Sequence, residues 1–171
     1  MNMPTLNDSN SDAPAQQAGG NDFRSDYLAF SELRNTLRAS AKAAQVTAMT
    51  RSDFMQHITL YMPEVSSRIE EEDFGVAHLE MGAMKLATRD AILNQDFNTV
   101  RRHLSYIGYL YEHADHELRH AILISYLEAL LIGESAAAYA RARRLLPPNL
   151  EAELIKAELR HAHLHARAAG F

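Results

Sequence analysis

The sequence contains no cysteine. That excludes a disulfide framework, a zinc site built on thiolates and a thiol nucleophile, and it fits a reducing compartment. Long apolar runs are missing too. The most apolar stretch, residues 121–132, is twelve residues long and interrupted by Ser125 and Glu128. It is too short to cross a bilayer and suits a buried core helix. The N-terminal stretch MNMPTLNDSNSDAPAQQAGGND lacks a basic start and an apolar segment, so it does not read as a secretory signal. No glycine-rich phosphate loop, P-loop or G-x-S-x-G elbow occurs. These absences predict a cytoplasmic protein with no membrane contact.

Positive charge is also in short supply. The formal net charge is −5, and its distribution is uneven. Residues 61–100 hold three basic and eight acidic side chains, a local −5, whereas residues 141–171 hold six basic and three acidic, a local +3. A general nucleic-acid binder carries a basic stripe over a basic total. The balance here is the reverse, which argues against nucleic acid as a partner. An acidic face instead steers basic partners and speeds their capture.

What is present is helical pattern. A chain of 171 residues suits one domain. Residues 1–22 are rich in Asn, Asp, Ser, Ala, Gln and Gly, with too few large apolar groups to offset the entropy of ordering, and read as a disordered tail. Residues 23–171 read as one all-α domain. A first helix is expected over about 26–49, with Leu33 and Leu37 on one face. Ser52 or Asp53 is the expected cap of a short helix carrying Phe54, Ile58 and Tyr61. Pro63 breaks or restarts it, and an acidic helix continues over 64–73 to a stop near Gly75. The next helix, 76–93, shows Val76, Leu79, Ala83 and Leu86 at spacings of 3, 4 and 3. Asn98 or Thr99 then caps a helix whose stripe is Val100, Leu104, Ile107 and Tyr111. The helix over 115–132 is apolar on most of its circumference and is the expected centre. Gly133 ends it, Ser135 starts a helix to Leu146, and Pro147-Pro148 forces a break. Asn149 caps a last helix over 150–167. Short loops favour antiparallel neighbours, so the expected fold is a bundle of about six or seven helices.

Three histidine patterns bear on chemistry. His116-Glu117-Leu118-Arg119-His120 is a literal H-E-x-x-H, which on a helix places two imidazoles one turn apart for zinc and a glutamate beside them as a general base. The extended motif with a third histidine is absent, Arg119 puts a cation inside it, and no strand is predicted to align a substrate. The plainer reading is a polar first turn favoured by the helix dipole. The second pattern is a repeat: Glu117-Leu118-Arg119-His120-Ala121 returns as Glu158-Leu159-Arg160-His161-Ala162. Two E-x-x-H motifs plus a glutamate from each of two other helices, here Glu80 and Glu32, build the di-metal site of ferritin-like bundles. A chain with 13 Glu and 9 His yields about 0.7 such matches by chance, so the pair alone carries little weight. The third pattern, His161, His163 and His165, has a spacing of two, wrong for one helix face, and suits a helix C-terminus instead. Glu128, inside the apolar helix, shares a narrow stripe with Glu117, Ala121 and Ser125. It is expected on a wet edge, or paired with an Arg or Tyr from a neighbour. The run Glu70-Glu71-Glu72-Asp73 reads as a solvated face or as a docking surface for a basic protein.

The order of further features resembles a known group. Phe54 leads to Pro63-Glu64-Val65. Residues 119–130 carry Ile124-Ser125-Tyr126-Leu127-Glu128 in a core helix, and Leu146-Pro147-Pro148-Asn149-Leu150 opens the closing helix. Over about residues 54–160 this resembles a family of small all-helical bacterial proteins of unassigned activity, associated with polymorphic, type VI or Rhs-type toxin systems. The resemblance implies a non-enzymatic immunity protein that occludes a cognate toxin. It implies no cofactor, no metal and no catalytic residue. The expected partner is a toxin with a basic surface, met by Glu64, Glu70, Glu71, Glu72, Asp73 and Glu80, with the chain itself a monomer or a homodimer. The alternative is a metal-binding bundle using Glu117/His120 and Glu158/His161.

Overall fold

The computed structural model describes residues 48–168. The expected tail over 1–22 and nearly all of the first expected helix lie outside the described residues. Met49, placed at that helix's end by the sequence pattern, sits instead in an isolated parallel bridge with Ala114. Its N–H donates to the His113 carbonyl at 2.7 Å, and the Asp115 N–H donates to the Met49 carbonyl at 2.8 Å.

Helix α1 covers Arg51–Tyr61, and its cap is Thr50 rather than Ser52 or Asp53. Thr50 and Asp53 form a reciprocal box: Asp53 N–H donates to Thr50 Oγ1, and Thr50 N–H donates to Asp53 Oδ2 at 2.8 Å. The T-x-x-D spacing satisfies two otherwise orphaned N–H groups. Helix α2 is only Pro63–Ser66, with proline in its first turn. The continuous acidic helix expected over 64–73 does not form. The chain leaves helical geometry to bury Ile69, and residues Glu71–Asp73 make a 3₁₀ turn. Gly75, at φ +97°, takes the left-handed conformation that glycine adopts without strain.

Helix α3 is Ala77–Leu93, α4 is Phe97–His113 and α5 is His116–Ala121. A π-helical segment, Ile122–Glu128, and a short α6, Ala129–Leu131, continue from α5. Helix α7 is Ala137–Arg143 and α8 is Pro148–Ala168. Asp96 caps α4 by accepting from Thr99 N–H, and Asp115 caps α5 by accepting from Leu118 N–H. The expected caps Asn98, Ser135 and Asn149 yield to Asp96, to Ala136 at the start of α7, and to Pro148 at the first position of α8. Among the described residues there is no strand, and no helix is long and apolar enough to cross a membrane.

The all-helical expectation therefore holds, but the centre differs. Helix α3 packs against α2, α4, α5, the π segment, α6 and α7, so it is the hub. Its inward face is Ala77, Met81, Met84, Ala87, Ala91 and Ile92, with Glu80 and Thr88. The stripe expected to face the core is mostly outside: Val76, Leu79 and Leu86 are exposed, and only Ala83 is buried. Small and unbranched side chains let neighbours approach α3 from several directions, and the leucines are left to the open side. On α4 the expected stripe is correct at Val100, Leu104 and Ile107. A Cβ on Gly108 would fall 2.7 Å from Pro147 Cγ, so glycine is what lets the start of α8 approach α4.

Candidate functional site

The acidic turn is held by a buried carboxylate. Glu80 is 0% exposed. Its Oε1 accepts from the Gly75 N–H at 3.1 Å and from Arg51 Nη1 at 3.3 Å. Through Glu80, helix α1 and the first turn of α3 both fix the end of the 71–73 turn. Glu80 was expected to be a partner-contacting residue; its burial corrects this, and it supports the surface from beneath. Glu64 likewise turns toward its own chain, accepting from Arg102 Nη2 at 2.6 Å and from His103 Nε2 at 3.1 Å.

The remaining predicted residues do share one exposed place. Glu70, Glu71 and Glu72 are exposed and Asp73 is half-buried. Asp73 Oδ2 accepts the Glu70 N–H at 3.2 Å, closing the turn on itself. Among the described residues none of these four carboxylates makes an ion pair. Directly after them come Phe74, 55% exposed, with Val76 and Leu79 also exposed. An acidic rim beside a small apolar patch led by an aromatic ring is the composition of a protein-contact surface, where apolar anchors supply affinity and charges set encounter rate. The sequence pattern located the acids. It missed the apolar part, because Val76 and Leu79 were assigned to the core.

A separate buried polar network has no local mark in the sequence. His103 is 0% exposed. Its Nε2–H donates to Glu64 and its Nδ1 lies 3.0 Å from Thr88 Oγ1, whose single proton is shared between that nitrogen and Met84 O at 2.9 Å; Thr88 Oγ1 also lies 3.1 Å from Tyr126 Oη, which can donate to it. Burial lowers the His103 pKa against the raising effect of Glu64. The Glu64 pKa is lowered chiefly by the hydrogen bond from His103. Burial also raises the Tyr126 pKa. This chain of groups joins α2, α4, α3 and the π segment.

The expected metal motifs separate. Glu158 pairs with Arg143 at 2.6 Å, and His161 turns to Glu128 at 3.3 Å, with Arg160 on the same carboxylate at 2.7 Å. Glu117 is exposed. Among the described residues no three His, Asp or Glu side chains are placed to share a metal ion, and Glu32 lies outside those residues. His120 does not act with His116. Its Nδ1 lies 3.2 Å from His78 Nε2, and His78 Nδ1 lies 2.7 Å from Ser125 Oγ. This serine and the two imidazoles form one hydrogen-bonded line. The expected common stripe of Glu117, Ala121, Ser125 and Glu128 breaks because Ser125 and Glu128 lie in π geometry, where α-helical angles do not apply. Ser125 meets α3 while Glu128 meets α8, so its expected pairing with an arginine holds.

A family model described as a domain of unknown function (DUF7674) matches residues 55–162. No curated protein and no solved structure matches the chain.

Proposed function

Starting from a chain that belongs to the DUF7674 family, we propose that it is a non-enzymatic protein-binding protein that engages a basic partner through the 70–79 surface. The observation that carries the reading is the unpaired acidic turn Glu70–Asp73 set against exposed Phe74, Val76 and Leu79. A rigid support, Glu80 with Arg51 and Gly75, keeps that surface in one geometry, which lowers the ordering cost of binding. Glu64 and Glu80 belong to the support, and Glu70, Glu71, Glu72 and Asp73 to the contact.

The specific form of the proposal is immunity: the chain occludes a cognate toxin of the polymorphic, type VI or Rhs-type kind in the cytoplasm. It is supported by the resemblance carried by Pro63-Glu64-Val65, the 119–130 segment and Leu146-Pro147-Pro148-Asn149-Leu150. An occluding protein works through surface complementarity and needs no reactive group of its own.

The test is genetic and then functional. The gene beside the coding sequence should encode a large protein ending in a short toxic domain. Expression of that domain alone should stop bacterial growth, and co-expression of this chain should restore it. A neighbourhood without such a gene, or a toxic domain that this chain fails to neutralise, overturns the immunity form.

A further inference from the structure

Helix α8 has two apolar faces, and the fold uses only one. Leu150, Leu154 and Ala157 are buried against the body. On the opposite side Ala152, Ile155, Leu159, Ala162 and Ala166 are all exposed, and Leu159 reaches 66%. Single exposed apolar residues are ordinary. Five at alternating spacings of 3, 4, 3 and 4 are the a and d positions of a heptad seam. A surface helix needs one apolar stripe to dock, so the second is free to meet a partner, although Leu164, 62% exposed, lies off it.

The flanks of the seam identify that partner. Ala152, Leu159 and Ala166 take the a positions, and Ile155 and Ala162 the d positions. Glu151, Glu158 and His165 then occupy g, while Lys156 and His163 occupy e. In a parallel, in-register pair each g residue faces the e residue five places on in the other helix. That sets Glu151 against Lys156 and Glu158 against His163, opposite in character at both places. An antiparallel pair would set g against g and e against e, which faces Lys156 with Lys156 or His163 and leaves the glutamates only His165 as an unlike neighbour. The pattern is therefore more complementary in the parallel orientation, and e and g charges decide partner and orientation in such seams. We infer that the outward face of α8 binds a second copy of this chain as a parallel two-stranded seam. Within one chain Lys156 pairs with Glu153 and Glu158 with Arg143, so the pairs across the seam form in exchange for these. The seam is short and alanine-rich, which sets the affinity on the order of micromolar rather than nanomolar. This face is separate from the 70–79 surface, and neither depends on the other.

The absence of cysteine makes the test clean. The full chain, run by size exclusion with light scattering, should move from one-chain to two-chain mass as concentration rises through tens of micromolar. Ile155→Glu with Leu159→Glu should weaken association at least tenfold while leaving the circular dichroism spectrum and the melting curve of the dilute protein unchanged. Ala152→Cys should form a disulfide-linked pair under mild oxidation, because a parallel seam brings equivalent a positions together. Glu151→Lys alone should weaken association, and adding Lys156→Glu should restore it. A monomer up to about 300 µM overturns the inference and leaves the face to a different protein. A dimer unaffected by the Ile155 and Leu159 changes overturns it too, as does a trimer or tetramer, or failure of Ala152→Cys to cross-link.

Discussion

Replacing His103 with glutamine tests the buried network, and its effect should depend on pH in a defined direction. In the native chain His103 donates to Glu64 and faces Thr88, fully out of solvent. Glutamine can keep a donor near Glu64 but not both contacts at the imidazole's separation. Losing one charge-assisted hydrogen bond and straining a second costs about 1–3 kcal/mol, a large share of the roughly 5–15 kcal/mol that stabilises a domain. Burial lowers the folded pKa of His103 below its ordinary value. A lowered folded pKa means that the unfolded chain takes up the proton first. The stabilisation is therefore complete above about pH 6.5 and declines as pH falls toward the folded pKa, by up to about 1.4 kcal/mol per pH unit for this group. Glutamine does not titrate, so the penalty of His103→Gln should be largest near pH 8 and should shrink by pH 5. Urea unfolding followed by circular dichroism at pH 8, 6.5 and 5 measures this. A penalty below about 0.5 kcal/mol, or one independent of pH, would refute the reasoning.

Further consequences follow from individual contacts. Gly108→Ala should destabilise the fold by about 1–3 kcal/mol, seen as a lower urea midpoint, because the added methyl would meet the Pro147 ring. Arg51→Ala should cost about 2–4 kcal/mol and speed hydrogen exchange at Gly75, since it removes the cation beside the buried Glu80 carboxylate. His57 also has a pKa lowered by burial, so His57→Gln should flatten the acid limb of stability below about pH 6.5, again read by urea unfolding.

Much of the architecture was legible from local chemistry. Pro63, Gly75, Gly133 and the Pro147-Pro148 pair mark breaks that need only backbone rules, and the Val100, Leu104 and Ile107 stripe follows from helical spacing. Cap positions were less legible: Thr50 and Asp96 lie two residues before the caps expected at Ser52 and Asn98, because several Ser, Thr, Asn and Asp residues compete at each start. The faces of α3 were misread because leucine outweighs methionine and alanine in any apolar pattern, yet α3 meets neighbours on several sides and needs small or pliable residues there. The site was half legible. The acids Glu70 to Asp73 are a visible run. The inward turn of Glu80 and Glu64 depends on Arg51 and His103, far away in sequence, and no local spacing reveals such partners. The π geometry of 122–128 left no mark of its own in an apolar run.

The central claim is that the 70–79 surface makes the contact. The direct measurement is the association rate of the neighbouring gene's toxic domain with the native chain and with the Glu70→Lys, Glu71→Lys, Glu72→Lys triple variant, at low and physiological salt. All three side chains are exposed and none makes an ion pair among the described residues; Glu70 also caps the 71–73 turn, so the circular dichroism spectrum of the variant is compared with that of the native chain first. The account predicts association at least about tenfold slower in the variant at low salt, with the difference narrowing as salt rises. Equal rates and equal affinities for the two proteins would contradict it.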